Sequence, residues 1–156
     1  MEGTTEVGQD RYDWFRSTCR LEISIRPKTI RVTTVIVKNI KWISKASEEA
    51  EVEISDGEFT CVAFSYPCSL NIGDEVSEPL HIFSMKNAMR CKDLAKVGIW
   101  NIQEQGLSRK IIGKVSNASE QIVTVGEIAM IIDDYLPGGI MTGDLIEFEC
   151  ARIDLW

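Results

Sequence analysis

The chain holds one histidine and four prolines, and its five cysteines include no Cys-x-x-Cys pair. Each shortage removes a class of chemistry. Without paired cysteines or a second histidine, the usual ligand spacings of structural zinc are missing. No serine stands in a Gly-x-Ser-x-Gly context, and the stretch GLSRKIIGK lacks the spacing of a phosphate-binding loop. No apolar run approaches the roughly 20 residues that a membrane-spanning helix needs. The opening MEGTTEVGQD is acidic and polar, unlike a secretory leader, so a cytoplasmic chain with no membrane contact is expected. Cys19, Cys61, Cys68, Cys91 and Cys150 are odd in number and sit mostly in apolar runs, so five free thiols are expected.

The remaining candidates for catalysis are thin. Alternation sets His81 on the same strand face as Phe83 and opposite Leu80 and Ile82. A Cys68–His81 dyad would need a third group to orient the imidazole, and no motif marks one. Asp133 and Asp134 are neighbours, and on a strand neighbours point to opposite faces. No catalytic residue, metal site or cofactor is assigned.

What the chain does have is strand signal. RLEISIR alternates, and TIRVTTVIV is β-branched nearly throughout. AEVEISD sends Ala50, Val52 and Ile54 to one face and Glu49, Glu51 and Glu53 to the other. Asp56-Gly57 after it reads as a hairpin turn. Only SMKNAMRCKDLAK carries helical spacing, through Met85, Ala88, Met89 and Cys91 or Lys92.

The chain also repeats itself. IKWISKASE begins at Ile40 and IGKVSNASE at Ile112. Pro67 precedes Gly73-Asp74 at the spacing by which Pro137 precedes Gly143-Asp144. Charge follows the same order. Residues 15–45 carry a net charge of +7, residues 46–84 −9, residues 85–114 +5 and residues 115–156 −7, within a total of −7. These signals predict a mainly β protein, a small barrel or sandwich of two duplicated β units about a pseudo-twofold axis. The expected organisation is a flexible segment 1–14, a first β repeat 15–84, a bridging helical segment 85–96 and a second β repeat 97–156, in one compact domain.

The charge blocks frame the functional expectation. Basic strands beside acidic strands give cross-strand pairs of about 0.2–1 kcal/mol each. Carboxylates left facing outward repel one another until a cation meets them. Glu49, Glu51, Glu53, Asp56 and Glu58 form such a row and fit a non-enzymatic module that binds a basic protein, in the manner of an acidic inhibitor or immunity protein. Nucleic-acid binding by a small barrel is the alternative, through Arg26, Lys28, Arg31, Lys38, Lys41 and Trp42; the net negative charge weighs against it. A small-ligand barrel or an enzyme with an unrecognised site is a further alternative.

Overall fold

In the computed structural model, residues 34–92 and 94–156 are described. Among them there are nine strands and no helix: β1 (Ile36–Ser44), β2 (Glu49–Ser55), β3 (Thr60–Ser65), β4 (Leu80–Arg90), β5 (Gly98–Asn101), β6 (Arg109–Asn117), β7 (Ile122–Val125), β8 (Ile128–Ile132) and β9 (Leu145–Asp154). No helix among the described residues is long and apolar enough to cross a membrane.

Five strands close a barrel. β9 runs antiparallel to β4, β4 runs parallel to β8, and β8, β7 and β6 form an antiparallel meander. β6 then returns to β9, which completes the ring. Closure leaves the ring without a free edge, so its backbone groups pair internally. The meander β1-β2-β3 extends this sheet. It joins through a parallel contact in which Phe64 faces Asp154 and the Leu155 amide donates to the Phe64 carbonyl at 2.8 Å. β5 pairs with β6 at the far end.

The core follows from the alternation. Ala50, Val52 and Ile54 of β2 are buried, as are Cys61 and Ala63 of β3. Ile146, Phe148 and Cys150 of β9 pack with Ile111 and Val115 of β6 and with Val123, Val125, Met130 and Ile132 of the β7–β8 hairpin. Each fully buried valine, isoleucine, methionine or phenylalanine among them contributes about 1.5–3 kcal/mol.

Two turns hold equivalent bonds. The Val37 amide donates to the Asp74 carbonyl (2.9 Å), and the Gly73 amide donates to the Val37 carbonyl (2.8 Å). Val115 makes the same pair of bonds with Asp144 and Gly143, at 2.8 and 2.7 Å. Asp74 caps its turn by accepting from the Asn71 amide, and Asp144 by accepting from Met141. Gly73 and Gly143 both lie in the left-handed region, at φ 95° and 98°.

The helix expected over residues 85–96 is not there. Met85–Arg90 continue β4, and the described residues from Cys91 to Val97 are turn and irregular backbone. The spacing misled for a physical reason. Ser84 and Asn87 hold left-handed φ values of 58° and 56°, and the register with β9 slips by one residue between Lys86 and Met89. Bulged strands add a residue to an inward step. The residues packed on the core therefore run Ile82, Met85, Ala88, at a spacing of three instead of two.

The nine-residue match falls on strand ends and turns. IKWISKASE and IGKVSNASE each contain the end of a strand and most of a tight turn, β1 to β2 and β6 to β7. The turns close with left-handed Glu48 (φ 58°) and Gln121 (φ 57°). However, β1 runs seven residues past Val37 before it ends at Ser44, whereas β6 ends two residues past Val115. The β1–β2 hairpin is thus a longer arm than β6–β7.

Candidate functional site

The strand registers bring one outer face together. Lys41 pairs with Glu51, Glu51 with Phe64, Phe64 with Asp154, and Asp154 with His81. One cross-strand row therefore spans β1, β2, β3, β9 and β4, about 20 Å at roughly 4.8 Å per strand. A second row runs through Asn39, Glu53 and Val62, and beside it Arg152 faces Phe83.

The middle of this face is aromatic. The Arg152 guanidinium lies 4.7 Å from the Phe64 ring centre and 4.8 Å from that of Phe83. Its Nε donates to Asp154 at 2.7 Å, so its charge is matched within the chain. His81 stacks on Trp156 with ring centres 4.0 Å apart and planes 13° apart. Tyr66, Phe83 and Trp156 are 57%, 48% and 72% exposed. Large rings this open, gathered on one face, mark a surface that gains by being covered.

The acidic row borders it. Glu49, Glu51 and Glu53 are half-buried at their backbones' outer side, opposite the buried Ala50, Val52 and Ile54. Glu51 meets Lys41 at 3.9 Å, an exposed pair worth at most about 1 kcal/mol. Among the described residues, Glu49 and Glu53 have no ion-pair partner. Glu58 is exposed in the β2–β3 turn.

Asp56 does not belong to the exposed row. It is buried, and one carboxylate oxygen accepts from the amides of Glu58 (2.9 Å) and Phe59 (2.7 Å). The other accepts from the Glu127 amide at 2.8 Å and so ties the β2–β3 hairpin to the β7–β8 turn. Gly126 in that turn has φ 59°, and a Cβ there would press on Asp56 and lie 2.6 Å from the Phe59 ring. A turn-forming Asp-Gly pair binds its own backbone first, and this is why Asp56 is withdrawn from solvent.

The basic residues of the nucleic-acid reading are divided. Arg26, Lys28 and Arg31 lie outside the described residues. Lys38 and Lys41 are exposed on β1, but Lys41 stands across from Glu51 while Trp42 stands across from the buried Ala50. Lys41 and Trp42 therefore point to opposite faces, and they do not form one stacking groove. Three ion pairs, Lys41–Glu51, Arg90–Asp144 at 3.9 Å and Lys110–Glu147 at 3.0 Å, join a basic block to the acidic block that follows it.

No catalytic constellation emerges among the described residues. The His81 Nδ1 is buried without a hydrogen-bond partner and lies 3.6 Å from Asp133. Cys68 is in the core. Asp133 and Asp134 serve different partners, since Asp134 accepts from the Met85 amide at 3.2 Å. No group of three or more metal-ligating side chains gathers among the described residues. Burial pushes the Cys61 thiol up to about 12 and that of Cys150 up to about 11, and burial together with Glu147 raises Cys91. These thiols stay protonated near neutrality and are poor nucleophiles.

Cys61, Cys68, Cys91 and Cys150 are free, and Cys19 lies outside the described residues. Denatured, unreduced protein should titrate as five thiols. In the native protein at pH 8, maleimide labelling read by mass spectrometry should reach the half-buried Cys91 well before Cys61, Cys68 or Cys150. Equal labelling of Cys61 and Cys91 would contradict the packed core.

No protein-family model matches the chain, and neither a curated protein nor a solved structure matches it.

Proposed function

We propose that the chain is a non-enzymatic module that binds a positively charged protein through the outer face of β1, β2, β3, β9 and β4. One observation carries this reading: Glu49 and Glu53, without an ion-pair partner among the described residues, share a sheet face with the exposed rings of Tyr66, Phe83 and Trp156. The few residues that carry most of the energy of known interfaces are enriched in tyrosine, tryptophan and arginine, and a charged surround sets partner and approach. Carboxylates beside the aromatic centre select a basic partner and speed its arrival. An acidic inhibitor covering the working surface of a basic target is one protein of this kind.

The test is charge reversal. Glu49→Lys with Glu53→Lys should leave stability within about 0.5 kcal/mol, since both side chains reach solvent. Immobilised wild-type chain, in nuclease-treated lysate, should retain a basic protein at 50 mM salt and lose it at high salt. Association of that protein with the double variant should be about tenfold slower at low salt. Unchanged association, or retention seen only when the nuclease is left out, would reject the reading.

We also infer that the chain is built of two related β units about a pseudo-twofold. The equivalent bonds of the Gly73 and Gly143 turns support it, as do the left-handed Gly57 and Gly126 in corresponding hairpins. The matched parallel contacts, β8 with β4 and β3 with β9, agree. On this reading the longer β1–β2 arm is what distinguishes the first unit, and it is the arm that carries the glutamates.

A further inference from the structure

A cleft of about 350 Å³ opens between the 67–78 loop and the C-terminal side of β9. Its walls are apolar: Pro67, Leu70, Val76, Leu155 and Trp156. Ser69 and Ser77 add hydroxyls, and among the described residues the charged groups lining it are two carboxylates, Glu75 and Glu78. Both are exposed and without an ion-pair partner among the described residues. Among the described residues, no lysine, arginine or histidine lines it. Trp156 is a wall of this cleft and also lines the hollow formed with Phe64, Tyr66, Arg152 and Asp154. The cleft therefore adjoins the aromatic centre of the outer face across Trp156.

We propose that this cleft is the anchor pocket of the interface and takes a lysine or arginine side chain of the partner. The assignment deepens the partner-binding reading and rests on it. Long basic side chains are amphipathic, with an apolar stem and a charged head. The stem fits walls of proline, leucine, valine and tryptophan, and the flat indole of Trp156 offers a surface on which a cation is attracted. The head then reaches Glu75 or Glu78 at the mouth. The volume lies within the range of sites that enclose a small ligand, so one such side chain enters with room for its flanking backbone. An anion would bring like charge to two carboxylates, and a neutral apolar group would leave both without a partner.

The probe is hexylammonium, a stem and a head without a peptide, titrated into the full chain and followed by amide and indole NMR shifts. Hexanoate and hexanol are the matched anion and neutral compound. Hexylammonium should shift Ser69, Leu70, Val76, Leu155 and the Trp156 indole, and hexanoate should not. Glu75→Gln with Glu78→Gln should weaken hexylammonium about tenfold at low salt, the size that two exposed charge contacts carry. Ser69→Phe, at an exposed position that lines the cleft, should abolish the shifts while the spectrum stays dispersed. Glu49→Lys with Glu53→Lys should leave probe binding unchanged. Failure here is thus separable from failure of the partner-binding reading, because no partner is present in the titration. Equal response to hexanol or hexanoate, unchanged affinity in the Gln double variant, or no shift at the cleft under saturating hexylammonium would overturn the assignment.

Discussion

Truncating Phe148 to alanine should lower the free energy of unfolding by about 3–5 kcal/mol, the usual cost of a cavity left by a buried ring. Phe148 is fully buried and lies opposite Ile111 in the β6–β9 register. Its strand touches β3, β4 and β6, so a void there loosens the barrel and the attached meander together. A domain of this kind has about 5–15 kcal/mol in total, so the variant should still fold in the cold but melt many degrees earlier. Phe148→Leu, which keeps most of the volume, should cost less than about 1.5 kcal/mol. Urea unfolding of the three proteins checks both values. A loss under 1 kcal/mol for the alanine variant would mean that β9 is not the strand around which the core is packed.

Asp56→Ala should be nearly as damaging, at about 3 kcal/mol, although it removes no apolar group. Three amides lose a charged acceptor, and hydrogen bonds to charged groups each contribute about 1.5–3 kcal/mol. Asp56→Asn separates the two halves of the interaction. Its oxygen still serves Glu58 and Phe59, but its NH2 faces the Glu127 amide, donor against donor. The wild type should also carry a pH signature. Burial pushes the Asp56 carboxyl up, but the hydrogen bonds from Glu127, Phe59 and Glu58 outweigh it and hold the group below its ordinary 3.8. The folded state thus favours the ionised form. Its contribution is complete above 3.8 and is lost as pH falls through the lower folded value. The alanine variant should lack that part of the acid dependence. Parallel slopes for wild type and variant below pH 4 would show that the carboxylate does not hold the two turns together.

Much of the fold was legible because one local rule, the period of two, decides which residues face inward. It placed Val52 and Ile54 in the core, the three glutamates outside, and His81 with Phe83 on one face. It failed in β4, where two left-handed residues changed the period to three and imitated a helix. Asp56 was misplaced because its type suggested a surface charge, whereas its position before Gly57 made it a cap for its own turn. The aromatic centre was missed for a different reason. Phe64 and Arg152 meet through a parallel contact between strands far apart in the chain, and no local pattern announces that pairing. A partial signal existed: Phe64 and Tyr66, and likewise Arg152, Asp154 and Trp156, alternate on the outward side of their strands. Reading outward positions for aromatics as carefully as inward ones for aliphatics would have found them. The cleft depends on the path of a loop and could not be read at all.

The pairing of β4 also governs the order in which the chain assembles. Both of its strand neighbours, β8 and β9, follow it in sequence. On a ribosome that adds about 5–20 residues per second, Leu80–Arg90 therefore waits seconds with two open edges while its partners are made. Its apolar end, Leu80 to Ile82, is the part most at risk of pairing with the wrong strand in that interval. The β1–β2–β3 meander is already complete and local, so it should form early, and the ring should close late and slowly because its contacts are distant. Protection from hydrogen exchange during refolding should then appear first in β2 and last along β4 and β9.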